Sequence, residues 1–208
     1  MRRPFPATAS QSTIKHLAWC AYLCVAFAST VARAEAPGSL APVITDQYLY
    51  YTLDAGDLIA LRQQLLERQP RSRSGGLSIG LTDAVLETHY DLTATAHGCR
   101  LEGVSVQLAV TTRLPQWHPA RRASSELRQR WETFREAIGR HEAGHRDNAI
   151  QAATQLLRGL RSADTRLSCR ALGRQLERIR SRALLSNEIR DDVYDLRTRN
   201  GVAQGSAL

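Results

Sequence analysis

The chain has 208 residues, which suits one domain of ordinary size once any targeting segment is removed. Its formal net charge is +8. Four of the basic residues lie in the first 34 residues, which contain no acidic residue, so the remainder carries only +4. In that remainder every basic residue is an arginine, and the arginines are spread among Asp and Glu along predicted helices. The absence of a basic stripe with aromatic residues argues against a nucleic-acid-binding protein.

Residues 1–34 have the organisation of a signal peptide. Two arginines and a lysine precede an apolar run of 13 residues, Leu17–Ser29, which is too short for a membrane span. Ala32-Arg33-Ala34 follows and matches the small-residue pattern of a cleavage site. We therefore expect a periplasmic or secreted mature protein with no stable membrane span after signal cleavage.

The remainder divides into one domain with two short flanks. Residues 35–44 read as a flexible lead-in, residues 45–201 as a single domain, and residues 202–208 as a flexible tail. Two cysteines remain in the domain, Cys99 and Cys169, and an even count in an exported chain predicts a disulfide bond. Such a bond would close a loop of about 70 residues and stabilise the fold by roughly 4 kcal/mol in the chain-entropy model.

The first half of the domain predicts a small antiparallel sheet with one helix. Gln47–Leu53 is rich in aromatic and branched residues and predicts a strand, and leucines at helical spacing predict a helix over 56–68. Residues 77–96 predict one or two strands. Leu101–Thr112 alternates apolar and polar residues, and a turn at His97-Gly98 would pair it with the preceding strand. Two prolines, Pro115 and Pro119, are expected to end the β part.

The second half predicts two long antiparallel helices. From Ser124 onward, apolar residues recur every three or four positions in one unbroken stripe of roughly 30 residues. Residues 162–165 interrupt the pattern, a second helical stretch follows, and Gly201 marks its end. The overall prediction is an α+β domain whose first long helix carries a zincin-like site.

That site is His141-Glu142-Ala143-Gly144-His145, which reads H-E-x-x-H. Residues four apart lie on one face of a helix, so the two imidazoles can hold one metal ion. Both histidines belong to the apolar stripe and are expected to point into the protein. Zinc suits nitrogen and oxygen ligands and an open position for water, which Glu142 would activate as the general base.

The third metal ligand is not fixed by the motif. An H-x-x-G-x-x-H extension is absent because Asn148 and Gln151 occupy the required positions. A carboxylate from the next helix is the other common arrangement. The acidic residues available downstream are Asp164, Glu177, Glu188, Asp191, Asp192 and Asp195.

Several of these features together resemble the bacterial domain-of-unknown-function family 922, which is described as predicted secreted zinc-dependent proteases. They are the H-E-x-x-H helix, the two cysteines, the segment Pro115-Gln116-Trp117 and the ending Tyr194–Gly201, and the resemblance covers about residues 45–205. The family ending reads Y-D-x-x-T-x-H-G, and its His is the ligand that the resemblance implies. This chain has Asn200 there, and Asn is a poorer zinc ligand than His. Asp195 is the alternative, either as the third ligand or as a residue that orients a ligand histidine.

The sequence thus predicts an exported zinc metallopeptidase that hydrolyses peptide or amide bonds in a peptide or protein substrate. Asn200 motivates one alternative, a catalytically degenerate relative that acts as a binding or scaffold protein of the cell envelope. A second alternative is a zinc amidase that acts on peptidoglycan. The sequence does not indicate an oligomeric state.

Overall fold

The protein is described here from a computed structural model, which covers residues 41–72 and 75–208. The predicted signal peptide, residues 1–34, lies outside the described residues. The elements, in chain order, are β1 (Val43–Leu53), α1 (Leu58–Arg68), β2 (Leu81–Thr95), β3 (Gly98–Trp117), α2 (Ser125–Arg161), α3 (Cys169–Thr198) and a 3-10 helix (Val202–Gln204). The predicted α+β class, with two long helices after the β part, is confirmed.

The three strands form one sheet in the order β1-β3-β2. The predicted hairpin is present, since β2 pairs with β3 antiparallel and its last pair joins Thr95 to Gly98. The prediction that the whole sheet is antiparallel is wrong, because β1 pairs with the other edge of β3 in parallel. The turn between β2 and β3 is a local sequence signal for the hairpin. In contrast, α1 and β2 separate β1 from β3 in the chain, so no local signal gives the direction in which these two strands pair.

The strand β3 runs through Pro115 to Trp117, although prolines were expected to end the β part. The pairing explains this difference. The strand β2 begins opposite Arg113, so from Leu114 onward β3 has only β1 as a neighbour. Proline has no backbone N–H to donate, and a strand residue with no neighbouring strand on one side does not need to donate a hydrogen bond there.

The two long helices pack antiparallel to each other. The helix α2 begins after Ser124, whose hydroxyl oxygen accepts a hydrogen bond from the backbone N–H of Leu127 at 3.1 Å. Gly159 near the end of α2 faces Ile179 near the start of α3, and Gly144 further back faces Tyr194. The predicted disulfide between Cys99 and Cys169 is present and ties the start of α3 to β3.

Two hydrophobic clusters share α2. The first, the α1 cluster, joins α1 and the end of β3 to the first half of α2; its members include Leu53, Leu61, Leu65, Trp117, Trp131, Phe134 and Ile138. The second, the sheet cluster, joins the sheet to the second half of α2 and to α3; its members include Val106, Leu108, Val110, Ala152, Leu156, Leu172 and Leu176. The H-E-x-x-H segment lies on α2 between the two clusters.

Residues 202–208, which were expected to form a flexible tail, begin with the 3-10 helix and then return towards α1. Gly201 and Gly205 have φ angles of 83° and 97°, which a glycine adopts without strain, and they allow the chain to turn at both ends of this short helix. Leu208 then packs against the α1 cluster. Within residues 41–72 and 75–208, no helix has both the length and the apolar character that crossing a membrane requires.

Candidate metal centre

His141 and His145 lie one helical turn apart in the middle of α2, on its inner face. Their side chains are only 8% and 14% exposed. The two Nε2 atoms are 3.3 Å apart, so both rings direct the same nitrogen to one point. This is the arrangement that the H-E-x-x-H spacing predicts.

Asp195 on α3 brings a carboxylate oxygen to the same point. Its Oδ1 is 3.2 Å from His141 Nε2 and 3.0 Å from His145 Nε2. In a tetrahedral zinc site with bonds of about 2.0–2.1 Å, neighbouring donor atoms are about 3.3 Å apart. The three separations therefore match those of three donors around one small cation. Among the described residues, these three side chains form the group of His, Cys, Asp and Glu donors that is close enough to hold a metal ion.

Asp195 Oδ1 is a buried oxygen that lacks a hydrogen-bond partner. The two Nε2 atoms of His141 and His145 are the nearest polar groups that face it, at 3.2 and 3.0 Å. Buried carboxylate oxygens are normally satisfied by a donor or a cation, because an isolated one is costly. The residues present therefore fit a metal ion bound between Asp195 and the two histidines.

The outer nitrogen of each ring has an oxygen acceptor. His145 Nδ1 is 3.1 Å from Asp191 Oδ1, and His141 Nδ1 is 3.1 Å from Gln204 Oε1. Asp191 also accepts hydrogen bonds from Asn148 and Asn187, which fix its position. A proton on each Nδ1 leaves the Nε2 lone pairs facing inward, as metal-ligating histidines require.

The two histidines have pKa values displaced in opposite directions. Burial and the positive charge of His145 lower the pKa of His141, which favours the neutral imidazole that binds metals. Burial alone would lower the pKa of His145. The hydrogen bond to Asp191 and the negative charges of Asp195 and Glu142 outweigh burial, so the pKa of His145 is raised.

Glu142 is 3% exposed and lies against the start of β2. Its Oε2 accepts a hydrogen bond of 2.8 Å from the Thr82 hydroxyl. A Cβ atom on Gly80 would be 2.5 Å from Glu142 Oε1, so the absence of a side chain at Gly80 makes room for the carboxylate. Burial raises the pKa of Glu142 to about 7, while the hydrogen bond from Thr82 opposes that rise.

Tyr194 covers the histidine pair from α3. Its ring stacks on the His141 ring with centroids 5.1 Å apart and meets the His145 ring edge-on at 5.2 Å. A Cβ atom on Gly144 would be 2.2 Å from Tyr194 Cζ. The glycine inside H-E-A-G-H therefore provides the space that Tyr194 occupies.

A cleft of about 670 Å³ opens onto these side chains. One wall comes from the start of β2 and the residues before it, and the opposite wall comes from α3 and the segment that follows. The lining includes both histidines and Glu142, together with Asp191, Asp195 and Asn200. The candidate site is thus open to a ligand.

The sequence candidates for the third ligand lie in different places. Asp195 faces both histidines, whereas Asn200 lines the cleft beyond the end of α3. Asp191 is hydrogen-bonded to the outer nitrogen of His145. Asp164 and Glu177 pair with nearby arginines at the surface.

Three residues of the site were not identified from the sequence: Gly80, Thr82 and Gln204. Gly80 lies just before β2, and Thr82 lies near its start. The sequence pattern of this strand does not indicate contact with Glu142. Gln204 lies in the segment interpreted as a tail, although the glycines at 201 and 205 are a turn signal that marks the segment as structured.

Fold and site together define an α+β domain with a candidate metal centre on its first long helix. The profile of DUF922, described as "Bacterial protein of unknown function", matches residues 48–201. The match covers more than half of the chain, and the chain belongs to this family. No curated protein and no solved structure shows a significant match to the chain.

Proposed function

We propose that this protein is an exported, zinc-dependent metallopeptidase-like hydrolase. His141, His145 and Asp195 hold the metal, and Glu142 is the general base. The observation that carries the proposal is the convergence of two Nε2 atoms and one carboxylate oxygen at 3.0–3.3 Å, beside a buried glutamate in an open cleft.

The donor set favours zinc among the common metals. Two imidazole nitrogens and one carboxylate oxygen form a typical catalytic zinc set, whereas Mg²⁺ and Ca²⁺ favour oxygen ligands alone. When bound, zinc polarises a carbonyl group and lowers the pKa of water. Asp195, which matches the Asp of the family ending, would supply the third ligand, so the metal site does not depend on a histidine at position 200. This weakens the reason for a catalytically degenerate protein.

Glu142 has the properties of a general base for attack by water. A base works best when its pKa is near the working pH, and burial brings the pKa of Glu142 to about 7. The Thr82 hydroxyl holds one carboxylate oxygen, which fixes the orientation of the group. Glu142 would take the proton from the attacking water and pass it to the leaving amine.

The substrate class follows from the general chemistry of such a site. With zinc bound, a site of this kind would hydrolyse peptide or amide bonds, and the cleft of about 670 Å³ leaves it open to a substrate. The predicted signal peptide and the disulfide between Cys99 and Cys169 support action outside the cytoplasm, in the periplasm or beyond the cell.

The test begins with mature protein reconstituted with zinc. We expect about one zinc ion per chain by elemental analysis, and less than about 0.1 in His141→Ala. Hydrolysis of casein and of a peptide library is then compared between the wild type and Glu142→Gln, which should retain zinc and lose activity by 100-fold or more.

The outcomes separate the proposal from its rivals. A wild type that binds no zinc would contradict it. Zinc binding without hydrolysis of any peptide would favour a non-catalytic binding protein, and release of fragments from peptidoglycan but not from casein would favour an amidase. Arg182→Gln, at an exposed position on α3, is the control and should match the wild type in both assays.

A further inference from the structure

Gln204 lies outside the part of the chain that the family profile matches and yet contacts the candidate centre. It is the last residue of the 3-10 helix that follows α3. Its side-chain oxygen is 3.1 Å from His141 Nδ1, across 63 positions of the chain. No other side chain of residues 202–208 is hydrogen-bonded to a histidine of the centre in the structure described.

The amide of Gln204 has a defined orientation. Its Nε2 donates a hydrogen bond of 3.0 Å to the Tyr194 hydroxyl, which leaves Oε1 directed at His141. The oxygen then accepts the Nδ1 proton. Thr198 supports the same arrangement, because its hydroxyl proton is donated to the Tyr194 carbonyl at 2.8 Å and its oxygen is 3.4 Å from His141 Nδ1.

The backbone around Gln204 is held in place on both sides. The Gln204 N–H donates to the Gly201 carbonyl at 2.9 Å, and Arg140 donates to the Gln204 carbonyl at 3.2 Å. A Cβ atom on Gly201 would be 3.1 Å from His141 Cγ, so the segment crosses close to the imidazole. The side chain therefore reaches the ring from a fixed backbone.

We infer that Gln204 is a positioning residue that keeps the His141 proton on Nδ1 and its Nε2 free for the metal. This inference rests on the proposed function, since it concerns the same metal site. The inference gives the short helix Val202–Gln204, which follows the residues that the family profile matches, a direct role in metal affinity. Outer partners of metal-ligating histidines typically contribute 10- to 100-fold in affinity.

The experiment measures zinc affinity by competition with a chromophoric chelator at one fixed pH. Gln204→Met keeps the chain length and removes the acceptor, so the dissociation constant should rise about 10- to 100-fold. Gln204→Glu keeps an acceptor and should stay within about threefold of the wild type. Gln151→Met, at an exposed position on α2, is the matched control and should leave the affinity unchanged.

A second readout separates positioning from folding. The metal-free Gln204→Met protein should unfold in one cooperative thermal transition, with a midpoint no more than about 8 °C below the wild type, since it loses two hydrogen bonds. If this variant does not fold, Tyr194→Phe replaces it, because it keeps the stacked ring and removes the group that orients the amide. Tyr194→Phe should weaken zinc binding about 3- to 10-fold, within the range of such outer partners.

Each result supports or overturns the inference. Equal zinc affinity in the wild type and Gln204→Met, or in Tyr194→Phe where it is used, would overturn the role of Gln204 and leave the proposed function intact. A Gln204→Glu variant as weak as Gln204→Met would also overturn it, because the acceptor is retained. A wild type that binds no zinc would overturn both.

Discussion

Glu142 is a carboxylate that the fold keeps away from water at an energetic cost. It is 3% exposed, and burial raises its pKa from 4.5 to about 7. In the unfolded chain the group ionises near its ordinary pKa. The folded state binds the proton more tightly, so stability falls as pH rises from about 4.5 to about 7. A residue that is costly to fold and useful for proton transfer is expected at an active site.

This cost leads to a prediction for metal-free protein. Glu142→Gln keeps the shape and the hydrogen bond with Thr82 but removes the charge. We expect the substitution to raise the free energy of unfolding by about 3 kcal/mol at pH 8, and to change it little below pH 4. Urea unfolding at both pH values, with a chelator present, measures the difference. A variant that is less stable than the wild type at pH 8 would contradict the buried ionised carboxylate.

Residues of the site differ in how far the sequence could predict them. His141, Glu142 and His145 share one helical turn, so their spacing alone places them together. Asp195 and Gln204 come from positions 50 to 63 residues away, where many acidic and amide side chains compete. Only the packing of α3 on α2 and the turn at Gly201 select these two.

At the scale of helices, the crossing of α2 and α3 depends on Gly144 and Tyr194. The tyrosine ring occupies the space that any side chain at position 144 would need. The Tyr194 ring also stacks on His141. This contact holds the start of the last turn of α3, which includes Asp195, over the histidine pair. The close approach of the two helices therefore determines the geometry of the candidate centre.

Gly144→Ala is expected to disturb both packing and metal binding. The added methyl group would overlap Tyr194 Cζ at 2.2 Å, and such overpacking costs about 1–3 kcal/mol. Gly139→Ala is the control on the same helix, because a Cβ atom there meets nothing within 4 Å. The control should stabilise the protein by up to about 1 kcal/mol through helix propensity. Thermal unfolding and zinc titration of both variants test this, and equal behaviour would refute it.

An ion pair joins the parallel edge strand β1 to α2. Arg146 donates two hydrogen bonds of 2.7 Å to Asp46, and both side chains are 30% exposed. The hydrogen bond from Arg146 lowers the pKa of Asp46. Its folded pKa lies below the unfolded value, so the pair contributes stability above about pH 4 that is lost as pH falls through the folded pKa.

Asp46→Asn should therefore destabilise the protein in a pH-dependent manner. At pH 7 we expect a loss of about 0.5–1 kcal/mol, the range of partly exposed ion pairs with good geometry. As the pH falls through the lowered pKa of Asp46, the wild type and the variant should converge, because Asp46 becomes protonated. Denaturant unfolding at pH 7 and at a series of acidic pH values measures the difference. A loss that persists at the acidic end would indicate a packing effect instead of an ionic one.

The strands show why the fold could be predicted only in part. Alternation in Leu101–Thr112 and the turn before it are local signals, and the hairpin follows from them. The partner and direction of β1 are not encoded locally, because its residues 43–50 are all exposed and show no buried face that would determine the pairing. The length of β3 depends on where β2 begins, which also determines whether Pro115 is tolerated.

At the scale of the whole molecule, the candidate centre interrupts the apolar face of α2 between the two hydrophobic clusters. The α1 cluster ends at Ile138, and on α2 the sheet cluster begins at Ala149. Most side chains of α2 between them are polar, and the buried Asp195 oxygen of α3, which has no hydrogen-bond partner, faces this interval. A cation bound there would link α2 to α3 at the point where hydrophobic packing is weakest.

Zinc should therefore stabilise the whole fold. A ligand that binds only the folded state at 100 times its dissociation constant adds about 2.7 kcal/mol. For a domain of this size, 1 kcal/mol shifts the thermal midpoint by about 2–4 °C, so we expect a rise of about 5–11 °C. A chelator should reverse the shift, and Mg²⁺ at the same concentration should produce none, because the nitrogen donors disfavour it.

Asp195→Ala removes the one proposed ligand on α3, and the thermal midpoint of this variant should no longer respond to zinc at this concentration. An equal zinc shift in the wild type and in Asp195→Ala would show that the metal does not join the two helices.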